Sequence, residues 1–436
     1  MQSYQSVGAS CARLHYKREI SESPEKGETT IYNTRLQDDE DSKIQMRIDA
    51  EERNIFRDDQ TKRFGMSKGS KSIIIISVGL LLAYIYSVFF AVNLYGTNIS
   101  LAWYLQIVAR KIQDFSNFVL GRGATNGIHF VIYRHLIIVL VSAALAGCGA
   151  VYQGSFRNSI ASPTTLGVQA GGLLGGMLYV FFFVDSNSIS IKYSELQAVY
   201  QEMDVFHRNM QGLCILAGCF IGIIFVAGIA KIAGRGKVSI LPLILTGFIF
   251  SSLVGSITGL IQYYIVLTNP GDLRTNAMRG LMMGTFDNTF TLEHLLLVGV
   301  PILVCILVLL SLRHKINVLV FGDDEALSMG MRVRLFHNTL LIICTIMVGV
   351  TISFCGQIGF VVLMVPHIAR MLVGPDYRVL LPASMLLGGI LMLLVYSFAM
   401  SIGYSSNINL VTSLIGGTLF IIFLIIHRRR RNADWV

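Results

Sequence analysis

Apolar blocks of roughly twenty residues dominate the chain between residues 72 and 427. An α-helix of about that length crosses a hydrocarbon layer of ~30 Å. Only 14% of the residues are charged and 53% are hydrophobic, whereas soluble domains carry about 25% charged residues. The 41 glycines fit the same class, because glycine lets helices approach closely in membranes. The sequence therefore predicts an all-α, polytopic membrane protein.

About ten such blocks follow one another, and each predicts one transmembrane helix. The seventh and eighth are separated only by residues 355–357, so a tight hairpin and two full spans both fit the pattern. The blocks cover residues 72–93, 132–152, 163–184, 209–232, 239–266, 292–312, 335–354, 357–372, 379–400 and 408–427.

Residues 1–71 differ from the rest in being polar and mixed in charge. A short amphipathic helix over 43–64 and disorder are both compatible with this composition. We expect a cytoplasmic N-terminal extension (1–71), a transmembrane domain (72–427) and a basic cytoplasmic tail (428–436). The sequence assigns no function to the extension.

The distribution of basic residues predicts the orientation. The net charge is +9, but residues 1–71 are neutral by count, so the excess lies in the connections between blocks. Lys and Arg are retained on the cytoplasmic side, which makes this a topology signal and argues against nucleic-acid binding. We expect both termini inside. The inner basic set then includes Arg157, Lys231, Arg313, Arg334, Arg370 and Arg428–Arg431.

The seven cysteines predict neither a disulfide framework nor a metal site. Most lie in or beside apolar blocks, with no CxxC pair and no histidine at ligand spacing, so they fit small hydrophobic residues in helices. We expect no metal site and no cofactor.

Residues 147–168, GCGAVYQGSFRNSIASPTTLGV, form the first stretch that composition does not explain. A helix runs into a polar turn that holds Gln153, Arg157 and Asn158, and Pro163 is expected to restart the next helix at its first turn. Glycines spaced four apart follow from Gly167, which predicts close helix contact. Tight packing alone would also account for this pattern.

A second segment, residues 316–330, reads INVLVFGDDEALSMG and is polar between Gly322 and Gly330. Asp323, Asp324 and Glu325 stand at the start of a short predicted helix, where the helix dipole favours acidic side chains. A solvated loop is the alternative.

A third segment, residues 356–376, reads GQIGFVVLMVPHIARMLVGPD. It contains Pro366, His367 and Arg370. One histidine without partner ligands at helical spacing makes a poor metal site, so we expect structural or interface roles for His367 and Arg370.

The three segments resemble signatures of the FecCD-type permeases of ABC importers, which carry cobalamin, haem and ferric siderophores. Residues 147–168 are similar to QGxxRNPLADPxLLGV, residues 316–330 to LNxLxLGEExAxxLG, and residues 356–376 to GxIGFxGLxxPHIARxLxGxD. The resemblance covers about 72–427 and implies a type II importer permease fold. It weakens at 131–134, where VIYR stands for LRLPR, and at 400–420, which lacks the family's arginine, glutamate and prolines.

The resemblance implies site residues in three groups. The coupling helix that sits in a cleft of the ATPase would comprise Gly322, Asp323, Asp324, Glu325, Ala326 and Gly330. We expect Ala326 to share a face with Gly330 and to leave room for the ATPase. Docking of a binding protein would use Arg134, Arg274 and Arg279. The translocation path or its packing would use Gln153, Arg157, Asn158, Pro163, Gly167, Pro366 and His367.

The resemblance thus implies a non-enzymatic transport subunit in the cytoplasmic membrane of a bacterium, embedded in the lipid bilayer. A separate ATPase would hydrolyse ATP, an extracytoplasmic binding protein would deliver the chelate, and a second permease chain, identical or related, would complete the path. The expected cargo is an iron(III)–siderophore, then haem or cobalamin.

The alternative is an ion-coupled secondary transporter. Such proteins usually place Asp or Glu near mid-membrane, and the apolar blocks contain essentially none. A membrane sensor or scaffold that signals through residues 1–71 is a third class.

Overall fold

The computed structural model describes residues 68–92, 128–185, 189–193, 199–203, 205–234, 240–268, 272–286 and 290–429. The predicted extension lies almost wholly outside these ranges, and the predicted tail lies within them only as far as Arg429. The helices are α1 (Lys68–Val92), α2 (Ile128–Ser155), α3 (Val168–Phe183), α4 (Val205–Ala233), α5 (Ile240–Thr268), α6 (Leu273–Met283), α7 (Leu292–Phe321), α8 (Asp323–Ser328), α9 (Val333–Cys355), α10 (Val361–Val373), α11 (Tyr377–Ser401) and α12 (Ile408–Arg429), with a 3-10 turn at Ser405–Asn407.

Each predicted apolar block holds one helix, which confirms the all-α membrane fold. Among the helices that the structure describes, eight are long and apolar enough to cross a bilayer, namely α1, α2, α4, α5, α7, α9, α11 and α12. The apolar helices α3 and α10 are shorter, with 16 and 13 residues. At 1.5 Å per residue, α10 extends about 20 Å and cannot cross a ~30 Å layer alone.

Two details of the predicted helix boundaries are wrong. The third block was expected to start its helix at Pro163, but residues 163–167 form turns and α3 begins at Val168 after Gly167, which has φ 75°. The seventh and eighth blocks are not two full spans, since α9 is long enough to cross a bilayer and α10 is not. Non-helical residues 356–360 separate the full-length α9 from the short α10.

Two elements were not predicted. The short helix α6 precedes α7, with Asp272 as its N-cap accepting the backbone N–H of Arg274. A small antiparallel hairpin pairs β1 (Ile189–Tyr193) with β2 (Val199–Met203) between α3 and α4.

Helices α3 and α4 pack at backbone contact through glycines. A Cβ atom at Gly171 would clash with the carbonyl oxygen of Gly218, and one at Gly218 would clash with that of Gly171. Gly175 meets the carbonyl oxygen of Cys214 in the same way. The close helix contact predicted from the glycine spacing is confirmed, and α4 is the partner.

Contacts between loops group the helix termini into two ends. At the first, which we call the α8 end, the turn after α2 contacts α8, and Asn317 of α7 donates to Asp376, which precedes α11. At the other, the α6 end, Arg274 donates to the carbonyl oxygen of Val184 after α3. When the shorter α3 and α10 are counted with the eight long helices, consecutive helices run in opposite directions between the two ends.

Three interruptions of helical structure meet inside the bundle, and we call this meeting point the junction. It joins the end of α6, residues 356–360 and the start of α12. The N–H of Gln357 donates to the Leu281 carbonyl at 2.8 Å, and that of Ile408 donates to the Gly284 carbonyl at 3.1 Å. Leu281 packs against Gly176 near the middle of α3. The junction thus lies within the bundle, where non-helical backbone must be paired by protein groups.

The side chain of Asn409 ties the junction together. Its Oδ1 accepts the backbone N–H of Gly359 at 2.9 Å, and its Nδ2 donates to the Met282 carbonyl at 3.1 Å. Asn409 lies in residues 400–420, which depart from the FecCD pattern. Its two hydrogen bonds therefore occur where the resemblance is weak.

Candidate functional site

Helix α8 is a six-residue helix held between two glycine turns. Gly322 has φ 146° and Gly330 has φ 78°, and both values lie in the region that favours glycine because other residues are strained there. Gly322 and Gly330 therefore form the turns at the two ends of α8. They fold the chain sharply between α7 and α9 and present α8 at one end of the bundle.

The orientation of α8 differs from the expectation for Ala326. Ala326 is fully buried against the chain's own core, and its carbonyl accepts the N–H of Met331. The prediction that Ala326 faces a partner is therefore wrong, because the single methyl group lets α8 pack directly on the bundle. The exposed residues of α8 are instead Asp324, Glu325, Leu327 and Ser328, and the exposed Met329 follows them; Leu327 is 56% and Met329 is 67% exposed.

An ion pair joins α8 to the polar turn after α2. Nη2 of Arg157 lies 3.3 Å from Oδ1 of Asp323, and Nε2 of His337 in α9 lies 3.8 Å from the same oxygen. Arg157 adopts φ 49°, a left-handed conformation that is uncommon for a residue with a side chain. The motifs at residues 147–168 and 316–330 are far apart in the sequence, and they meet at Asp323.

The rest of the polar turn is held by local and core contacts. Nε2 of Gln153, a buried side chain, donates to the Leu363 carbonyl of α10 at 3.1 Å. Oδ1 of Asn158 accepts the N–H of Ile160, and the Pro163 carbonyl accepts the N–H of Val168. These residues shape the turn and pack it. Whether they line a path stays a prediction.

A second connection at the α8 end runs through Asn317 and Tyr377. Oδ1 of Asn317 accepts the N–H of Tyr377 at 2.7 Å, and its Nδ2 donates to Asp376 at 2.6 Å. The Tyr377 hydroxyl donates to the Ala150 carbonyl of α2 and accepts from Arg370, each at 3.1 Å. Burial raises the pKa of the Asp376 carboxyl, but the Asn317 and backbone hydrogen bonds outweigh it and hold that pKa below its usual range.

Pro366 and His367 lie in α10 and are buried. The His367 ring packs edge-on against Phe420 of α12, with ring centroids 6.1 Å apart. Among the residues that the structure describes, no three His, Cys, Asp or Glu side chains are close enough together to hold a metal ion. His367 thus packs inside the bundle against α12, and its place beside the translocation path stays a prediction.

The three candidate docking arginines do not form one exposed surface. Arg134 is only 8% exposed and its Nη1 donates to the Tyr396 hydroxyl at 3.1 Å. Arg274 donates to the Asp272 carboxylate through both Nε and Nη2, at 2.8 and 2.7 Å, and this hydrogen bonding raises the pKa of the Arg274 guanidinium. The expectation of an exposed Arg134 is wrong, and Arg274 is bound within the fold. Arg279 is exposed and stays the docking candidate.

Sequence reasoning missed His337, Asn317 and Tyr377, which connect the α8 end. Asn317 lies inside the 316–330 segment and Tyr377 directly follows 356–376, so position within the matched motifs was an available signal. His337 lies outside the three matched segments, and no motif marks it in the sequence.

This chain is similar in sequence and in architecture to known transport proteins. The model of the FecCD transport family matches residues 80–426. The molybdate import system permease protein MolB of Haemophilus influenzae is 33% identical over 66% of this chain and 77% of its own length. The hemin transport system permease protein HmuU of Yersinia pestis is 31% identical over 69% and 83%, respectively. A solved metal-chelate type ABC transporter in an inward-facing conformation has a TM-score of 0.61 at 26% identity, over 82% of this chain and 99% of that one. The chain therefore belongs to the FecCD transport family and is an integral membrane protein of the ABC permease type.

Proposed function

We propose that this chain is the permease subunit of an ABC importer for a metal chelate, with an iron(III)–siderophore as the first cargo to test and haem and cobalamin as the next. The contact between Arg157 and Asp323 carries the proposal. It attaches the exposed helix α8 to α2, whose span is the most buried of the eight long helices. A partner that moves α8 therefore acts on the centre of the bundle.

The second connection supports the same reading. Asn317 holds the start of α11 to the end of α7, and Tyr377 holds α11 to α2. With both connections in place, α2, α7, α8 and α11 are linked at one end. Rigid-body movement of packed helices is the usual way that such bundles change state.

The proposed partner at the α8 end is a separate ATPase. Leu327 and Met329 offer exposed apolar side chains beside the acidic Asp324, a mixture suited to a protein contact. In this proposal the α8 end faces the cytoplasm of a bacterium, and the basic residues of its loops support that orientation. The α6 end would then meet an extracytoplasmic binding protein, with Arg279 as an available cation, and a second permease chain would complete the path.

The test is uptake by the assembled importer. The full chain would be purified from its native membrane with its copurifying subunits, reconstituted into vesicles, and offered radiolabelled iron–siderophore, haem, cobalamin and molybdate in parallel. We expect uptake that requires ATP, is blocked by vanadate and favours one chelate. Preference for molybdate would contradict the proposed cargo alone. Uptake that persists without ATP and collapses with an ionophore would establish a secondary transporter instead.

A further inference from the structure

A cleft of about 720 Å³ opens at the α8 end between α4, α5 and α9. Further along the same helices, α4 and α9 are in close contact, with Ser353 donating to the Gly212 carbonyl and Gly349 against Leu216. The two helices therefore diverge toward the α8 end, and the space between them is the cleft. It opens at the helix ends, which would lie near the lipid headgroups when these helices span a bilayer.

The cleft is basic at its mouth. Its lining includes Lys231 at the end of α4, Arg334 at the start of α9, and Arg157. The one carboxylate in the lining, Asp323, is already paired with Arg157. Lys231 and Arg334 are both exposed, so they leave a surplus of positive charge facing the opening.

The walls behind this mouth are apolar. They are formed by Ile223, Ala227, Leu243, Leu341 and the backbone of Gly228. A Cβ atom at Gly228 would meet nothing within 4 Å, which shows how much room the wall leaves. An inorganic anion would use the cations and leave these walls uncovered, whereas a ligand with a charged head and an alkyl body would cover both.

We propose that this cleft binds an anionic phospholipid, with the headgroup phosphate at Lys231 and Arg334 and an acyl chain along the wall beside Gly228. Basic pockets between transmembrane helices are known to select anionic headgroups. The site is distinct from transport of the cargo and does not depend on which chelate is carried. Because Asp323 and Leu327 of α8 also line the cleft, the bound lipid would contact the base of the proposed coupling element.

Lipid retention by the intact chain tests the proposal. The full-length protein would be exchanged into an equimolar mixture of phosphatidylglycerol and phosphatidylcholine and examined by native mass spectrometry. We expect selective retention of phosphatidylglycerol. The double variant Lys231→Gln/Arg334→Gln should weaken it about 30-fold, since each cation near the surface contributes roughly a fivefold factor. The matched control Lys315→Gln/Arg332→Gln removes two exposed cations at the same end that do not line the cleft, and should retain the lipid.

A second pair of variants tests the apolar wall. Gly228→Leu should fill the wall and reduce phosphatidylglycerol retention without disturbing the fold, because its Cβ position is open. Gly255→Leu makes the same change at an equally open position of α5 outside the cleft. It should retain the lipid and melt at the same temperature as Gly228→Leu.

Four results would overturn the proposal. These are equal retention of phosphatidylcholine, equal loss in both charge variants, displacement of the lipid by inorganic phosphate, and release of the lipid when the ATPase is added. The third would identify a free-phosphate site, and the last would identify the cleft as part of the ATPase contact. Each readout is binding, so the proposal can fail while the transport function stands.

Discussion

Arg157 and Asp323 are 166 residues apart in the sequence, yet their side chains meet at 3.3 Å and join the turn after α2 to α8. Both side chains are about half exposed, at 44% and 49%. An exposed pair of this kind adds about 0–1 kcal/mol to stability. Its importance therefore lies in position, because it links a surface helix to the most buried long helix of the described bundle.

Removing that link should affect transport more than stability. In Asp323→Asn, we expect ATP-driven uptake to fall by up to about fivefold, while the free energy of unfolding changes by less than ~1 kcal/mol. Uptake and thermal unfolding would be measured on the same preparations. Asp185→Asn makes the identical change at an exposed carboxylate of the α6 end, away from α8, and should behave like the parent. Equal losses in the two variants would contradict a specific role for the ion pair.

Because Ala326 is buried, a test of the coupling surface has to alter an exposed residue such as Met329 instead. Ala326→Arg would force a charge into a fully buried position, which costs several kcal/mol, so we expect little protein in the membrane. Met329→Arg alters a side chain that is 67% exposed and should accumulate normally while it binds the ATPase less tightly. Expression levels and copurification of the ATPase would be compared. Normal accumulation of Ala326→Arg would show that α8 does not pack as described.

The glycine contact between α3 and α4 predicts a position-specific stability loss. Gly171→Ala places a methyl group against the Gly218 backbone, which cannot yield like a flexible side chain. We expect a loss of about 1–3 kcal/mol, seen as a lower unfolding temperature in detergent. Gly255→Ala meets nothing within 4 Å and should be neutral or gain up to about 1 kcal/mol from helix propensity. Similar melting of the two variants would be inconsistent with backbone contact at Gly171.

Substitutions of the exposed Arg279 and of the buried Arg134 should have different effects. We expect Arg279→Glu to weaken binding of the extracytoplasmic partner most at low salt, because exposed charges are screened beyond ~10 Å at 0.1 M. Arg134→Gln should instead lower stability by about 1.5–3 kcal/mol through its lost hydrogen bond to Tyr396, with no dependence on salt. Affinity across ionic strength and unfolding temperature would be measured for both. A salt-independent Arg279→Glu would remove Arg279 from the docking surface.

Orientation can be tested with two exposed positions at opposite ends. In intact cells, on a background without native cysteines, an impermeant maleimide should label Asn276→Cys in α6 and leave Ser328→Cys in α8 unmodified. Permeabilised cells should show labelling at both. The reverse pattern in intact cells would place α8 outside and reject the proposed ATPase contact.

The long helices could be predicted because block length and hydropathy alone identify a membrane span. Helix α6 could not, since its sequence LRTNAMRGLMM is short and mixed in polarity. The delayed start of α3 was missed because Pro163 is also compatible with a first helical turn. Pro163 lies in a turn, and α5 packs directly on that turn. The Thr165 carbonyl blocks the Cβ position of Gly247 in α5.

The site was predicted where the motif is local and missed where the contact is distant. The glycine turns around α8 follow from residue type, and both are present. The burial of Ala326 and Arg134 depends on what packs against them, and the partner of Arg134, Tyr396, is 262 residues away. A cation near the start of a predicted span was expected to be exposed. In the structure, Tyr396 of α11 covers Arg134 near the start of α2.

The hydrogen bonds of Asn409 can form only after α12 has been synthesised and inserted. Gly359 and Met282 are synthesised before the residue that supplies their partners. A chain that has not yet inserted α12 leaves that N–H and that carbonyl unpaired inside the bundle, and each such group costs several kcal/mol where water is excluded. Nascent and truncated chains would therefore present an open, degradable intermediate to the membrane's proteases until the final helix arrives.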